Sequence, residues 1–195
     1  LLIIAILVTA VKQILLTQVI YALTSGSLAL SSPTNSTSTI ILPTDKDEVR
    51  SYKWKGERIT LSKYVETNGK QMVEMEKEIA ESTLTADQKK RLESFGLLPH
   101  PCCNSPINTK DCLQAVAAMG LAKFLITQGW DDKKIKEELF LWYRFWWPKH
   151  YAIVSAYLQL KGVDPKSVSV DDWMSDRLST ISVEQSMMNE AGGDK

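Results

Sequence analysis

Apolar residues are distributed unevenly along this chain of 195 residues. The first 30 residues form one apolar block, and residues 121–126 and 140–151 form two shorter ones. The first block contains no proline and a single glycine, Gly26. Because about 20 apolar residues suffice to cross a bilayer, we expect one long hydrophobic helix over residues 1–30.

Several polar side chains interrupt this first block, and four of them are informative. Thr9, Gln13 and Thr17 recur every four residues and therefore share one helix face, with Lys12 beside them. A charged side chain at the centre of a lipid-facing helix costs about 2.5–3.5 kcal/mol. Two interpretations follow: a single-pass anchor whose Lys12 reaches the headgroups, or an assembly in which Lys12, Gln13 and Thr17 contact other copies of the chain.

The printed sequence opens on Leu1 and is apolar from that residue onward. A secretory signal would instead open with Met and positive charge, so either a leader precedes Leu1 or a leader was removed and left a hydrophobic mature N-terminus. The apolar stretch is too long for the core of a removable signal peptide, so we expect it to be retained. A retained apolar N-terminus resembles that of type IV pilin-like subunits, whose bacterial members have Phe first and an acidic residue fifth. This chain has Leu1 and Ala5 there. The resemblance implies a subunit that assembles into a surface filament through its N-terminal helices.

Residues 31–47 are predicted to form a stalk or linker. Their first fourteen residues are rich in Ser, Thr and Pro and carry no charge, a composition that cannot form a packed core. Asn35 begins an N-x-Thr sequon and is the predicted glycosylation site. These features predict a membrane-anchored or cell-surface protein with residues 31–195 outside the cytoplasm.

Residues 48–195 are expected to form a mainly α-helical domain. Alternating side chains around Lys55 and Gly56 predict a β-hairpin at about 49–61. Thr85 and Gln88 form a capping box at a helix start. The predicted fold is therefore mainly α, with a small hairpin followed by a compact bundle of about four to six helices. Helices are expected at residues 71–81, 85–96, 111–128, 131–147, 149–161 and 170–178, and from 183 onward.

Seven of the twelve residues from 140 to 151 are aromatic. A helix that is apolar nearly all round must be buried on both sides. One interpretation is a core internal to the domain. The other is a lateral contact with a neighbouring subunit or a membrane interface, made by residues such as Trp142 and Trp146.

All three cysteines lie between residues 102 and 112, next to a proline-rich segment. In a first interpretation Cys112 forms a disulfide with Cys102 or Cys103 and pins that segment to a helix start. In a second, His100 and the three cysteines form a Cys3His set for zinc or a soft metal. In a third, Cys112 at a helix N-terminus is a reactive thiol.

The region from Cys102 to Tyr143 resembles the membrane-anchored thiol oxidoreductases of cytochrome c maturation, and the extracytoplasmic PCYCGC-motif proteins share a similar plan. The resemblance implies a three-helix domain in which a glycine-terminated helix precedes an acidic-capped one. That family's C-x2-C pair is replaced by Cys-Cys, so its catalytic role is not transferred. The residues that carry the resemblance are Cys102, Cys103, Asp111, Ala115, Gly129, Asp131, Asp132, Ile135, Leu139 and Tyr143.

The balance of charge and the absence of catalytic sequence motifs limit the classes of function that this chain can have. The 23 basic and 23 acidic side chains balance, which argues against nucleic acid as a partner. No catalytic triad, phosphate-binding glycine loop, H-E-x2-H or G-x-S-x-G pattern occurs. We therefore expect a non-enzymatic protein with no cofactor and no small-molecule substrate, whose partners are the membrane and other copies of itself.

The first hypothesis from the sequence is a pilin-like structural subunit of a surface filament. The alternatives are a membrane-anchored thiol-redox or metal-handling protein, and a single-helix accessory subunit of a membrane complex.

Overall fold

The computed structural model describes residues 49–60 and 69–192. Over these residues the chain is mainly α-helical with one two-stranded hairpin, which confirms the predicted fold class at that level. The described residues up to Met188 belong to one compact unit.

The predicted N-terminal helix and stalk, at residues 1–30 and 31–47, lie outside the described residues. The assembly residues Lys12, Gln13 and Thr17 and the sequon residue Asn35 lie outside them as well. The predictions attached to these residues stay predictions.

The hairpin pairs strand β1, Val49–Trp54, with strand β2, Glu57–Thr60, in antiparallel register. Lys55 and Gly56 between them have φ angles of 50° and 86°. Positive φ at both positions is the geometry of a tight type I′ turn, which matches the right-handed twist of the two strands. The predicted hairpin is therefore confirmed.

Seven α-helices follow within the described residues, one more than the upper limit of the prediction. The segments expected one by one from the sequence already number seven, so the bundle estimate of about four to six was too low. The segment expected at 170–178 is an α-helical turn at Val170–Trp173 followed by a 3-10 turn at Asp176–Leu178. The helices are α1 Lys70–Glu78, α2 Ala86–Gly96, α3 Leu113–Thr127, α4 Asp132–Trp146, α5 Pro148–Leu160, α6 Val170–Trp173 and α7 Thr180–Gly192.

Local capping chemistry sets two of the helix starts. Thr85 Oγ1 accepts from the Gln88 amide at 3.2 Å, and Gln88 Oε1 accepts from the Thr85 amide at 2.9 Å. Asp131 Oδ1 accepts from the Lys134 amide at 2.9 Å at the start of α4. These side chains satisfy amide groups that have no partner within the helix, and both predicted caps are confirmed.

The start of α3 differs from the prediction. Residues Ile107–Thr109 form a short 3-10 turn, and Lys110 takes a left-handed conformation with φ of 56°. The helix therefore begins only at Leu113, and Cys112 is its N-cap instead of a member of its first turn. Asn108 and Thr109, which the sequence also offers as caps for a helix at 111–128, lie in the 3-10 turn and do not cap it.

Helix α3 is the central element of the fold and packs against both α1 and α2. Its contact with α1 is close because Gly120 has no side chain. A Cβ added at Gly120 would lie 1.9 Å from the Met72 carbonyl oxygen and 2.8 Å from the Glu76 amide nitrogen. Lys123, one turn further along α3, is 2% exposed and donates to the Glu76 carbonyl at 3.0 Å.

A buried carboxylate joins the hairpin to α4. Glu138 accepts from Arg50 Nε at 2.8 Å, from the Tyr52 hydroxyl at 2.8 Å and from Trp142 Nε1 at 3.1 Å. Trp142 Nε1 also donates to the Tyr52 hydroxyl at 2.9 Å. A buried charge is stable only when it is paired and hydrogen-bonded, and Glu138 satisfies this condition through the hairpin.

The aromatic residues of α4 lie in the domain's own core. Trp142 is fully buried and Trp146 is 7% exposed, and their ring centroids lie 5.5 Å apart. Neither side chain is available to a neighbouring subunit in this conformation. Their predicted role as lateral assembly contacts is therefore corrected to core packing, which was the other interpretation of the aromatic run.

Within residues 49–60 and 69–192, no helix has both the length and the apolar character that crossing a membrane requires.

Gly120→Ala tests the close contact between α1 and α3. The new Cβ would collide with backbone atoms of α1, which cannot rotate away as a flexible side chain can, so the helices must separate. We expect the free energy of unfolding to fall by about 3 kcal/mol, measured by urea denaturation. Gln114→Ala, at a partly exposed position of the same helix, is the control and should change it by less than about 0.5 kcal/mol. Equal urea midpoints for Gly120→Ala and the parent chain would show that α1 and α3 do not approach each other this closely at Gly120.

Tyr52→Phe and Tyr143→Phe form a matched pair that tests the Glu138 network. Removing the Tyr52 hydroxyl breaks two buried hydrogen bonds, so we expect a loss of about 1–2 kcal/mol. The Tyr143 hydroxyl is buried and has no hydrogen-bond partner among the described residues, so its removal should be neutral or stabilising. Denaturation of both variants measures the difference, and the opposite order would show that the network is wrong.

Candidate thiol and metal centre

The candidate ligands lie on a loop formed by residues 98–107, between α2 and α3. Pro99 and Pro106 pair as an isolated antiparallel bridge at its base. One residue closer to the tip of the loop, the His100 amide donates to the Ser105 carbonyl at 2.7 Å. Proline prevents a helix here, and the backbone hydrogen bonds close the segment into a narrow loop instead.

The tip of this loop reverses the chain at Cys102 and Cys103. The Asn104 amide donates to the His100 carbonyl at 3.0 Å, and Asn104 has a φ of 61°. Asparagine is one of the residues that adopt this left-handed conformation most readily. The reversal leaves the two adjacent cysteines exposed at the end of the loop.

A second set of bonds ties the loop to α7. The Thr180 amide and Thr180 Oγ1 both donate to the Pro101 carbonyl, at 2.9 and 3.1 Å. Thr180 Oγ1 also makes a short contact with His150 Nδ1. Because Oγ1 uses its hydrogen on Pro101, we assign the proton of the second contact to His150 Nδ1. The residue before Cys102 is thus fixed by α7, which α5 supports in turn.

This loop brings three of the four predicted metal ligands together, and the fourth, Cys112, lies beside His100 at the start of α3. A nitrogen of His100 and the sulfurs of Cys102 and Cys103 all lie within 4.8 Å of one another. Cys112 Sγ lies 3.6 Å from His100 Nδ1. Sulfur atoms bound to one tetrahedral zinc ion would lie about 3.8 Å apart, so His100, Cys102 and Cys103 are close to the spacing of a coordination shell, whereas Cys112 would have to move toward the two loop sulfurs.

All three thiols are free in the structure. The predicted disulfide of Cys112 with Cys102 or Cys103 therefore stays a prediction. Desolvation of the Cys102 sulfur raises the pKa of this thiol, and the neighbouring Cys103 and Cys112 thiols raise it further, to about 11. A thiol with a raised pKa keeps its proton at neutral pH, which is the opposite of what a redox-active thiol requires.

The imidazole of His100 is the buried member of the cluster. His100 is 1% exposed, and its Nε2 has no hydrogen-bond partner among the described residues. Burial lowers the pKa of His100, although the carboxylate of Asp111 acts in the opposite direction. A neutral imidazole is the form that binds metal ions, so this side chain is prepared for that role.

An aromatic wall made by Tyr143 and Trp147 stands behind the imidazole. The rings of His100 and Trp147 lie 6.1 Å apart, and Trp147 meets Tyr143 edge to face at 4.9 Å. Burial raises the pKa of the Tyr143 hydroxyl, and the nearby Cys112 thiol adds to the effect. The wall restricts His100 and keeps water away from one side of the cluster.

The supporting residues of this centre were not found from the sequence. Thr180 lies 79 residues from Pro101, and His150 lies 30 residues from Thr180. No motif connects positions so far apart. The one available signal was indirect, since a buried loop carbonyl such as that of Pro101 needs a donor from some other element.

His150 makes the stability of the fold sensitive to acid. Burial lowers the pKa of His150 from 6.5 to about 4, so the unfolded chain binds this proton at a higher pH than the folded chain does. The unfolded state therefore gains stability as the pH falls below about 6.5, and the effect is complete near pH 4, where it amounts to about 3 kcal/mol.

We expect His150→Asn to remove this part of the pH dependence. Denaturation of both chains between pH 4 and 7 should show a shallower loss of stability for the variant, because asparagine does not titrate. An unchanged slope would show that His150 is not the group responsible.

No family model, curated protein or solved structure matches this chain. The resemblances to pilin-like subunits and to thiol oxidoreductases therefore stay predictions.

Proposed function

We propose that this protein binds a thiophilic metal ion, of the zinc or copper(I) class, through His100, Cys102, Cys103 and Cys112. The observation that carries the proposal is the convergence of one imidazole and two thiols within 4.8 Å, with a third thiol 3.6 Å from the same imidazole.

The chemistry of the donor set supports this class of ion. Thiolates and imidazole suit zinc, copper(I) and other soft or borderline ions, whereas magnesium and calcium require oxygen ligands. A bound cation also offsets the effect that the thiols have on one another. In the metal-free protein they raise the pKa of Cys102, while a metal ion would stabilise its thiolate and release the proton.

The metal proposal explains the cluster better than thiol-redox activity does. The raised pKa of the Cys102 thiol disfavours a redox role for that residue. His100 Nδ1 faces the Cys112 sulfur at 3.6 Å, a placement that ligand atoms of one ion would share and that a redox function does not need. We therefore place the protein among non-enzymatic, metal-handling proteins.

The cellular setting of this function rests on the sequence pattern. We propose that residues 1–30 tether the protein to a membrane and that the domain of residues 48–195 lies outside the cytoplasm. The filament-subunit and accessory-subunit hypotheses depend on the same N-terminal residues, which lie outside the described part of the chain, and both stay predictions.

Metal titration of the full chain, reduced and held in detergent, tests the proposal. We expect one equivalent of Zn²⁺ to bind with release of protons, and Co²⁺ to give thiolate-to-metal charge-transfer absorption. Cys112→Ser and His100→Gln should each weaken binding by at least about 100-fold, since even an outer partner of a ligand is worth 10–100-fold.

Ser105→Ala is the matched control, because Ser105 lies on the same loop but takes part in its closure through its backbone carbonyl. It should bind Zn²⁺ as the parent chain does. Absence of zinc uptake by the reduced parent chain, or uptake that is unchanged by Cys112→Ser, would contradict the proposal. A Cys112 disulfide found by mass spectrometry in protein purified without reductant would favour the disulfide interpretation instead.

A further inference from the structure

We propose that this centre is a transfer site, which passes its metal ion to a thiol-bearing acceptor by direct ligand exchange. The inference rests on the proposed function and adds the class of partner. Its evidence is the division of the four ligands between the surface and the interior, together with a loop that is closed by its own backbone.

The ligands divide into an exposed pair and a sheltered pair. Cys102 and Cys103 are exposed, Cys112 is half-buried, and His100 is 1% exposed. An ion held by all four would therefore have two of its sulfur ligands on the solvent side. Four protein ligands fill the coordination shell of such a site, so an incoming sulfur must displace one of them, and the exposed pair is the one that it can reach from solvent.

The sheltered pair is fixed by elements that do not depend on the ion. Cys112 is the N-cap of α3, and His100 packs against Trp147 at the end of α4. The exposed pair instead lies on the turn at the loop tip. We expect the sheltered ligands to retain the ion while an exposed sulfur is replaced.

Backbone hydrogen bonds, and not the ligand side chains, close the loop. Backbone bonds from His100 to Ser105, from Asn104 to His100 and from Thr180 to Pro101 close it at 2.7, 3.0 and 2.9 Å. In many small metal-binding domains the binding energy is also the folding energy, and release of the ion unfolds the chain. Here the closing bonds involve no ligand side chain, so we expect the loop to keep its fold when the ion leaves, which suits repeated exchange.

The exchange step is balanced in atoms and charge. The acceptor thiol loses its proton and forms a metal–sulfur bond. The bond between the metal and Cys103 Sγ breaks, and the released thiolate takes up one proton. The oxidation state of the metal does not change, so no oxidant or reductant is needed.

Stopped-flow mixing of the zinc-loaded full chain with a Cys-x2-Cys peptide tests the inference. We expect the rate of zinc transfer to rise linearly with peptide concentration and to reach at least tenfold the rate of spontaneous loss. The matched peptide with two serines, mixed in the presence of a zinc indicator, measures that spontaneous loss. The helical circular dichroism should be the same with and without zinc.

The outcomes separate the two proposals. Zinc that binds but leaves at a rate independent of the peptide concentration would overturn the transfer role alone. A large gain of helical signal on zinc binding would also overturn it, because the ion would then be structural. Failure of the reduced chain to bind zinc would overturn both proposals.

Discussion

The backbone closure of residues 98–107 is the constraint on which the candidate centre depends. Two helices meet at this loop, since α2 ends at Gly96 and α3 begins at Leu113. The Ile107 amide donates to the Leu98 carbonyl at 2.9 Å and joins the two ends of the loop. Without this closure, the proline-rich segment would extend away from α3, and Cys112 would not meet the residues at the loop tip.

Short-range chemistry in the sequence predicted much of the fold correctly. A capping box needs only Thr85 and Gln88, and the hairpin turn needs only Lys55 and Gly56, so the information lies within four residues. The set of candidate ligands was found for the same reason, because all four fall between residues 100 and 112. A local sequence pattern shows which residue types are present and in which order, and these features depend on nothing else.

Contacts between elements that are distant in the sequence could not be predicted from such local patterns. The need for glycine at position 120 comes from the backbone of α1, more than 40 residues earlier in the chain. The aromatic run indicated burial, but only the packed structure shows that Trp142 and Trp146 are covered by the domain itself. The same limit applies to Thr180, whose bond to Pro101 depends on how α7 returns to the loop.

The Glu138 network has a mechanical consequence. Strand β1 is the first described element, and within the described residues its only strand partner is β2. Tension applied through the residues before Val49 would therefore enter the bundle through β1 and load the contacts of Arg50 and Tyr52 with Glu138. Those hydrogen bonds would pass part of the force to α4, while the ring contacts of Tyr52 and Trp54 with Phe124 would pass another part to α3, so the load on the hairpin would be shared between two helices.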